Sequence, residues 1–366
     1  MKEIKMTEQA TVHDAQSRML SVDVFRGFTM FMLVSGIGQL FREDSNNNIV
    51  SFIGKQMEHA NWEGLTAWDL VQPFFMFIVG VSMPFSFSRK IAKGESWNKS
   101  FQGVVRRSLL LLFLGWVISS ETKSSFANVL AQLSVTYFIA FLVMRKPMIW
   151  QIIFSAGLIV FTDVIYRLWS VPGFNQPFAA DHNFGSWVDV MMTGGVNEDR
   201  WVAFNAVPTT AHTIWGVLTG IVLMKEWTLQ KKFRTLFTTG IILIIAGYIL
   251  GIYIPIIKRT CTSSFIIVSG GWAITCLAIT YFFIDILSFR KGVMFFAIVG
   301  MNPLFIYLFW HTGGTQLLEN FVLPVTTRTI GAAGPGALHV ANVLTVACML
   351  WYICYFLYKR KIFIKI

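Results

Sequence analysis

Charge is scarce in this chain. Asp, Glu, Lys and Arg make up 13% of its 366 residues, while 55% of the side chains are hydrophobic. A soluble domain carries about 25% charged residues, so the composition excludes one and calls for an apolar solvent around much of the surface. Cysteine is also sparse, and Cys261, Cys276, Cys348 and Cys354 lack the spacing of a zinc or redox motif. Packing accounts for them. The P-loop, the Rossmann glycine pattern, HExxH and the GxSxG nucleophile elbow are all missing, which removes the commonest soluble catalytic plans. Linkers, low-complexity tracts and clear internal repeats are missing too, and no stretch shows the period-two alternation of a membrane barrel.

What the sequence does contain is a series of long apolar runs. Several reach the roughly 17 to 25 residues that a helix needs to cross the hydrocarbon core. They predict an all-α membrane protein, a polytopic bundle of about ten transmembrane helices over 22–41, 67–88, 104–120, 128–144, 148–166, 207–224, 235–254, 263–287, 293–311 and 337–358. The N-terminal stretch "MKEIKMTEQATVHDAQSR" is too long and too mixed in charge for a signal peptide, and the run after it has no small-residue cleavage site. We therefore expect a short N-terminal segment, 1–20, and one membrane domain, 21–366. Most of the 30 lysines and arginines fall at the N-terminus, between the second and third runs, and in alternate connections after that. Because these residues accumulate in cytoplasmic loops, both termini are expected in the cytoplasm. The net charge of +11 is then mostly a topology signal, and no nucleic-acid partner is implied. A homo-oligomer is compatible with the chain.

In that topology the polar residues gather at the outer rim. His59 lies in "HANWEGLTAWDL", just before the second run, with Trp62, Glu63 and Asp69 beside it. His212 enters the sixth run, His311 ends the ninth, and Asn128, Gln132 and Asp163 fall at similar depth. Ionisable groups at membrane depth are costly, so a layer of them points to a shared water-filled site. Taken singly, each also fits a group that is merely wet at the interface, and the tryptophans fit aromatic-belt anchors as well as stacking platforms for a sugar ring. At the cytoplasmic end, Asp23 and Arg26 share one helical face. They form a buried pair that seats the helix, or else Arg26 joins Arg106 and Arg107 at the phosphates of a cytosolic ligand. An imidazole titrates near neutrality and can deprotonate an ammonium or attack a thioester, so His59 is the best single candidate for base or nucleophile.

The segments "SVDVFRGFTMFMLV", "HANWEGLTAWDLVQPFFMFIVGVSMPFSF" and "NVLAQLSVTYFIAF" resemble, in order and spacing, the membrane core of the heparan-α-glucosaminide N-acetyltransferase family. "FNAVPTTAHTIWGVLTG" and "VGMNPLFIYLFWH" look like its later helices, particularly in a bacterial branch mostly of unassigned function. The resemblance implies transfer of acetyl from cytosolic acetyl-CoA, as co-substrate and without a metal, to the amine of a terminal glucosamine or another amino sugar across the membrane. It places His59 in the catalytic role, as base or acetyl carrier, with Asp69 orienting it or holding substrate. The same reading puts Arg26, Arg106 and Arg107 at the nucleotide, and Trp62, Glu63, Gln132, His212 and His311 toward a glucosamine-ended oligosaccharide. It also implies a bacterial inner membrane with the site facing the periplasm. The chain departs from the family at Ser35, Gly36 and Ile37, where relatives often place asparagine, and at Gln132, where arginine is expected. Two other functions share many of these features: a sugar permease with broken helices around a central site, and acyl transfer to a glycan hydroxyl.

Overall fold

The computed structural model describes residues 19–41, 47–119 and 126–364. Most of the expected N-terminal segment, residues 1–18, lies outside them. The described chain forms fourteen α-helices and no strand. They are α1 (Leu20–Val34), α2 (Asn48–Gln56), α3 (Val71–Ala92), α4 (Trp97–Ile118), α5 (Val129–Val143), α6 (Met148–Leu168) and α7 (Phe184–Thr193), then α8 (Ala206–Met224), α9 (Leu229–Leu250), α10 (Ser263–Tyr281), α11 (Val293–Gly300), α12 (Pro303–His311), α13 (Gly314–Ile330) and α14 (Pro335–Lys359).

Among the described residues seven helices are long and apolar enough to span a membrane: α3, α4, α6, α8, α9, α10 and α14, with short 3-10 or π turns extending α3, α8 and α10. This is an integral membrane protein. The structure differs from the expected ten spans in three places. The first and fourth runs form α1 and α5, each of 15 residues, which at 1.5 Å per residue reach about 22 Å against a core of about 30 Å. The ninth run breaks into α11 and α12, bent by 72°. Pro303 has no N–H to donate and disfavours helical geometry at the residue before it; Asn302 accordingly sits at φ −126°, ψ 50°. Its amide clamps an extended tail, donating to Ile362 O at 3.0 Å and accepting from Ile364 N–H at 3.0 Å. Between α12 and α14, α13 carries Glu319, Arg328 and Pro324, and those interruptions hid it among the loops.

Helices α3, α8 and α10 are largely buried, whereas α4, α6 and α9 display apolar faces such as Phe113, Trp150, Phe161 and Ile245. In lipid, helices associate through close packing and small residues more than through expulsion of water. The α3–α8 contact shows this. A Cβ on Gly80 would stand 2.0 Å from Thr213 O, and one on Gly216 would stand 2.0 Å from Phe77 O. Gly27 and Gly300 join α1 to α11 in the same way.

Gly216→Ala drives a methyl group into backbone that cannot yield. Overpacking of this kind costs about 1–3 kcal/mol, and we expect a lower unfolding temperature in detergent; an unchanged one contradicts the backbone contact.

Candidate functional site

Helix α3 begins at a buried carboxylate. Asp69, 1% exposed, stands in the 3-10 turn Trp68–Leu70 that opens the helix, where the positive end of the helix dipole favours an acid. The preceding loop folds back on it. Ala60 N–H and Thr66 N–H donate to Asp69 Oδ2 at 3.2 and 3.1 Å, and the Thr66 hydroxyl lies 3.0 Å from the same oxygen. Asp69 Oδ1 is 2.8 Å from His59 Nδ1 and 3.3 Å from Lys258 Nζ. A ring nitrogen that close to a carboxylate oxygen carries a proton, so the network assigns the His59 tautomer: Nδ1–H donates to Asp69 and Nε2 keeps its lone pair. The imidazole is 43% exposed, with the Trp68 ring 6.5 Å away.

Lys258 escaped the sequence analysis. It comes from the loop between α9 and α10, 199 residues from His59, and its ammonium reaches 3.1 Å from His59 Nδ1. With Nδ1 donating to Asp69, that contact is electrostatic and adds no hydrogen bond. The side chain is buried and its Nζ lies 5.2 Å from the Trp201 ring centre. Burial lowers the lysine to about 8, opposed by the Asp69 charge, so at neutral pH the cation is still present and offsets the buried carboxylate. Two neighbours hold this loop against the histidine loop. Arg259 Nη1 donates to Ala60 O at 3.1 Å and to Asn61 O, and Gly64 N–H donates to Ile256 O at 2.8 Å. Cys261, turned at φ 51°, donates its thiol to Lys258 O at 3.1 Å; burial pushes it up to about 12, so it is no rival nucleophile.

The remaining expected residues separate into groups. Trp62 Nε1–H donates to Phe178 O at 2.7 Å, tying the histidine loop to the segment before α7, and Glu63 is exposed next to it. His212 is elsewhere: fully buried in α8, its Nε2 bonds Ser269 Oγ at 2.9 Å and Ile266 O at 3.1 Å. It is a core histidine that ties α8 to α10. His311, exposed at the end of α12, packs on Tyr307 and Trp310 of its own helix. Asn128 caps α5, and Asp163 pairs with Arg167 one turn on. Trp187 packs against Trp169 and Phe184. Gln132 accepts a hydrogen bond from Gln72 Nε2 at 2.9 Å.

At the other end of α3 a cavity of about 630 Å³ opens among α1, α3, α4, α5 and the α11–α12 break. Arg26, Arg89, Lys90 and Arg107 line it, and Asp23 is the one acid in its wall. Arg26 donates to Asp23 Oδ1 at 3.1 Å, to Gly300 O at 3.5 Å and to Ser82, so the buried pair and the cation-lined wall coexist. The Arg107 guanidinium lies 4.6 Å from the Tyr137 ring centre, and its buried Nε has no hydrogen-bond partner. Arg106, one residue away and about 100° around the helix, is exposed among Phe101, Val105 and Leu109 on the outer face of α4, and does not join this group. Met19 and Ile364 both line the cavity, so the two described ends of the chain lie on one face. One stripe of α3 connects the sites: Asp69, Gln72, Phe75, Val79, Ser82, Ser86 and Lys90 follow at intervals of three or four residues over about 30 Å. Among the described residues no group of three or more His, Cys, Asp and Glu could hold a metal ion.

Residues 18–184 match a family model described as a domain of unknown function, DUF5009. Over 97% of its length the chain is 24% identical to the heparan-alpha-glucosaminide N-acetyltransferase of Mus musculus, covering 62% of that protein. Against the Homo sapiens protein of the same name the identity is again 24%, over 95% of the chain and 60% of the relative. The chain is a distant homologue of these acetyltransferases. It spans about 60% of the length of these curated relatives.

A second buried acid lies nearby. Asp189 of α7 accepts the Ala203 N–H at 2.9 Å through Oδ1, while its buried Oδ2 has no partner. Burial pushes the carboxyl up to about 7, opposed by that hydrogen bond. The Ala203 turn leads to Asn205, whose amide donates to Arg259 O, so α7 is linked to the lysine loop.

Two predictions follow from these groups. Losing the Lys258 charge exposes the Asp69 charge, so Lys258→Met should lose tenfold or more of any His59-dependent activity at pH 7, and the gap to wild type should narrow as pH rises through about 8. A constant gap across that range contradicts a role for the charge. For Asp189, a folded-state value near 7 against 3.8 in the unfolded chain means the folded protein binds more protons in that window, and stability falls as pH rises through it. Asp189→Asn should therefore raise the unfolding temperature clearly more at pH 8 than at pH 5, the difference vanishing only as pH falls below about 3.8; equal shifts at both contradict the assignment.

Proposed function

We propose that this protein is a membrane acetyltransferase that passes the acetyl group of acetyl-CoA to the amine of a terminal glucosamine or another amino sugar at His59. The observation that carries this reading is the disposition of α3. One end holds a histidine whose Nδ1–H is fixed by a buried carboxylate, leaving Nε2 as an accessible base; the other borders a cavity with four cationic side chains. Phosphates suit the arginines, for which bidentate contacts are strong, and the apolar cavity wall of Phe75, Leu130 and Leu133 suits a thin pantetheine arm.

In the direct route Nε2 takes a proton from the acceptor ammonium. The free amine then attacks the thioester carbonyl, a C–N bond forms, the C–S bond breaks, and the CoA thiolate recovers a proton. In the carrier route Nε2 itself first forms the bond to the acetyl carbon, releasing CoA, and the amine then displaces the imidazole. Both draw on the same lone pair, and bound donor and acceptor gain from proximity in either. The cation-lined cavity is the cytoplasmic end in this reading, and His59 faces the far side of a bacterial inner membrane.

A permease is the second reading, favoured by the 72° break at Asn302 and Pro303, because broken helices build substrate sites in transporters.

Purified protein in liposomes, given radiolabelled acetyl-CoA and a panel of amino sugars, should acetylate an amine, and His59→Ala should lose about 10²-fold or more of the rate while staying folded. Label retained on the protein without acceptor identifies the carrier route. Transfer to hydroxyl sugars alone moves the assignment to O-acylation. Sugar counterflow with no transfer and no acetyl-CoA binding overturns the enzyme in favour of the permease.

A further inference from the structure

Between the histidine and the cavity, the α3 stripe carries a single polar side chain. Gln72 lies one turn below Asp69 and one turn above Phe75, which lines the cavity. It meets Gln132 in the first turn of α5, whose neighbours Leu130 and Leu133 line the cavity as well. Both glutamines are buried, 5% and 1% exposed. Their one mutual hydrogen bond engages only two of the four polar atoms of the two amides. Gln72 Oε1 and Gln132 Nε2 remain buried without partners. Exchanging oxygen and nitrogen on both side chains gives the same result: one acceptor and one donor left over, side by side. Buried polar atoms are nearly always satisfied, by protein, water or a guest.

We propose that the Gln72–Gln132 pair is a positioning site for an amide group of the donor's pantetheine arm, which rests on the acetyl-CoA reading above. A secondary amide presents one N–H and one C=O, the complement of what the pair leaves open. Pantetheine is the part of CoA that carries such amides, whereas the thioester offers an acceptor only and the nucleotide lies at the cationic end. Docking an amide at this depth sets how far the arm advances along α3, and so brings the acetyl carbon to the level of His59. Gln72 and Gln132 act through the donor's position and take no part in proton transfer.

The test replaces both partners at once. Gln72→Leu with Gln132→Leu removes both amides without leaving either unsatisfied, a change that is close to neutral for folding when shapes are kept. Binding of CoA and of adenosine 3′,5′-bisphosphate, which lacks the arm, is measured on wild type and the double variant in detergent. We expect CoA to bind roughly ten- to thirtyfold more weakly to the variant, from the loss of two neutral hydrogen bonds, with the bisphosphate unaffected. Equal binding of CoA to both overturns the positioning role and leaves the acetyl-CoA reading standing, as does a parallel loss of bisphosphate binding, which marks a general disturbance. Failure of wild type to bind either ligand overturns the acetyl-CoA reading and this proposal with it.

Discussion

Asp69 accepts from Ala60, Thr66 and His59 and faces the Lys258 ammonium, and the rest of the site follows from that carboxylate. A carboxylate with so little exposure is tolerable only when its charge is met by donors and by an opposite charge. Here both come from segments far apart in the chain. The histidine loop wraps back to supply amide and imidazole donors, and the α9–α10 loop contributes the lysine. The same contacts that make Asp69 tolerable fix the imidazole tautomer and leave Nε2 its lone pair. Stability and reactivity thus rest on one group of atoms.

Much of this was legible in the amino-acid sequence, for identifiable reasons. Long apolar runs mark buried and lipid-facing helices, and α3, α6, α8, α9, α10 and α14 fall near the expected places. His59 and Asp69 are ten residues apart in one loop-to-helix junction, and the family resemblance is what brought them together in the sequence reading. Lys258 could not be read that way, because its partner is 199 residues distant and a lysine in an exterior loop looks like ordinary solvated charge. Arg106 and Arg107 look alike in sequence but lie about 100° apart on the helix, and only Arg107 turns inward. His212 drew attention as an ionisable group at membrane depth, yet its Nε2 bonds Ser269 and Ile266 inside the bundle, away from His59. Depth by itself does not separate a site from a core contact.

Helix α3 works as the axis of the molecule for a mechanical reason. It is pressed against α8 with backbone nearly touching backbone at Gly80 and Gly216, which leaves little freedom to slide or tilt. Chemistry at the turn that opens it and cation density along its last turn are therefore held at a fixed separation. A substrate pair bridging the two would meet a rigid ruler, and fit would depend on the reach of the donor.

The long separation of Lys258 from its partners bears on modularity. The matched family model ends at residue 184, and the stretch it covers contains the histidine, its carboxylate and all four cations of the cavity wall. The counter-charge, the arginine that clamps the histidine loop and the α8 face of the central packing all come later. A fragment cut at that boundary would hold a buried carboxylate with no cation and an α3 with no α8. The matched region is half of an interlocked unit, and exchange of segments between relatives would have to move the α9–α10 loop together with the histidine loop.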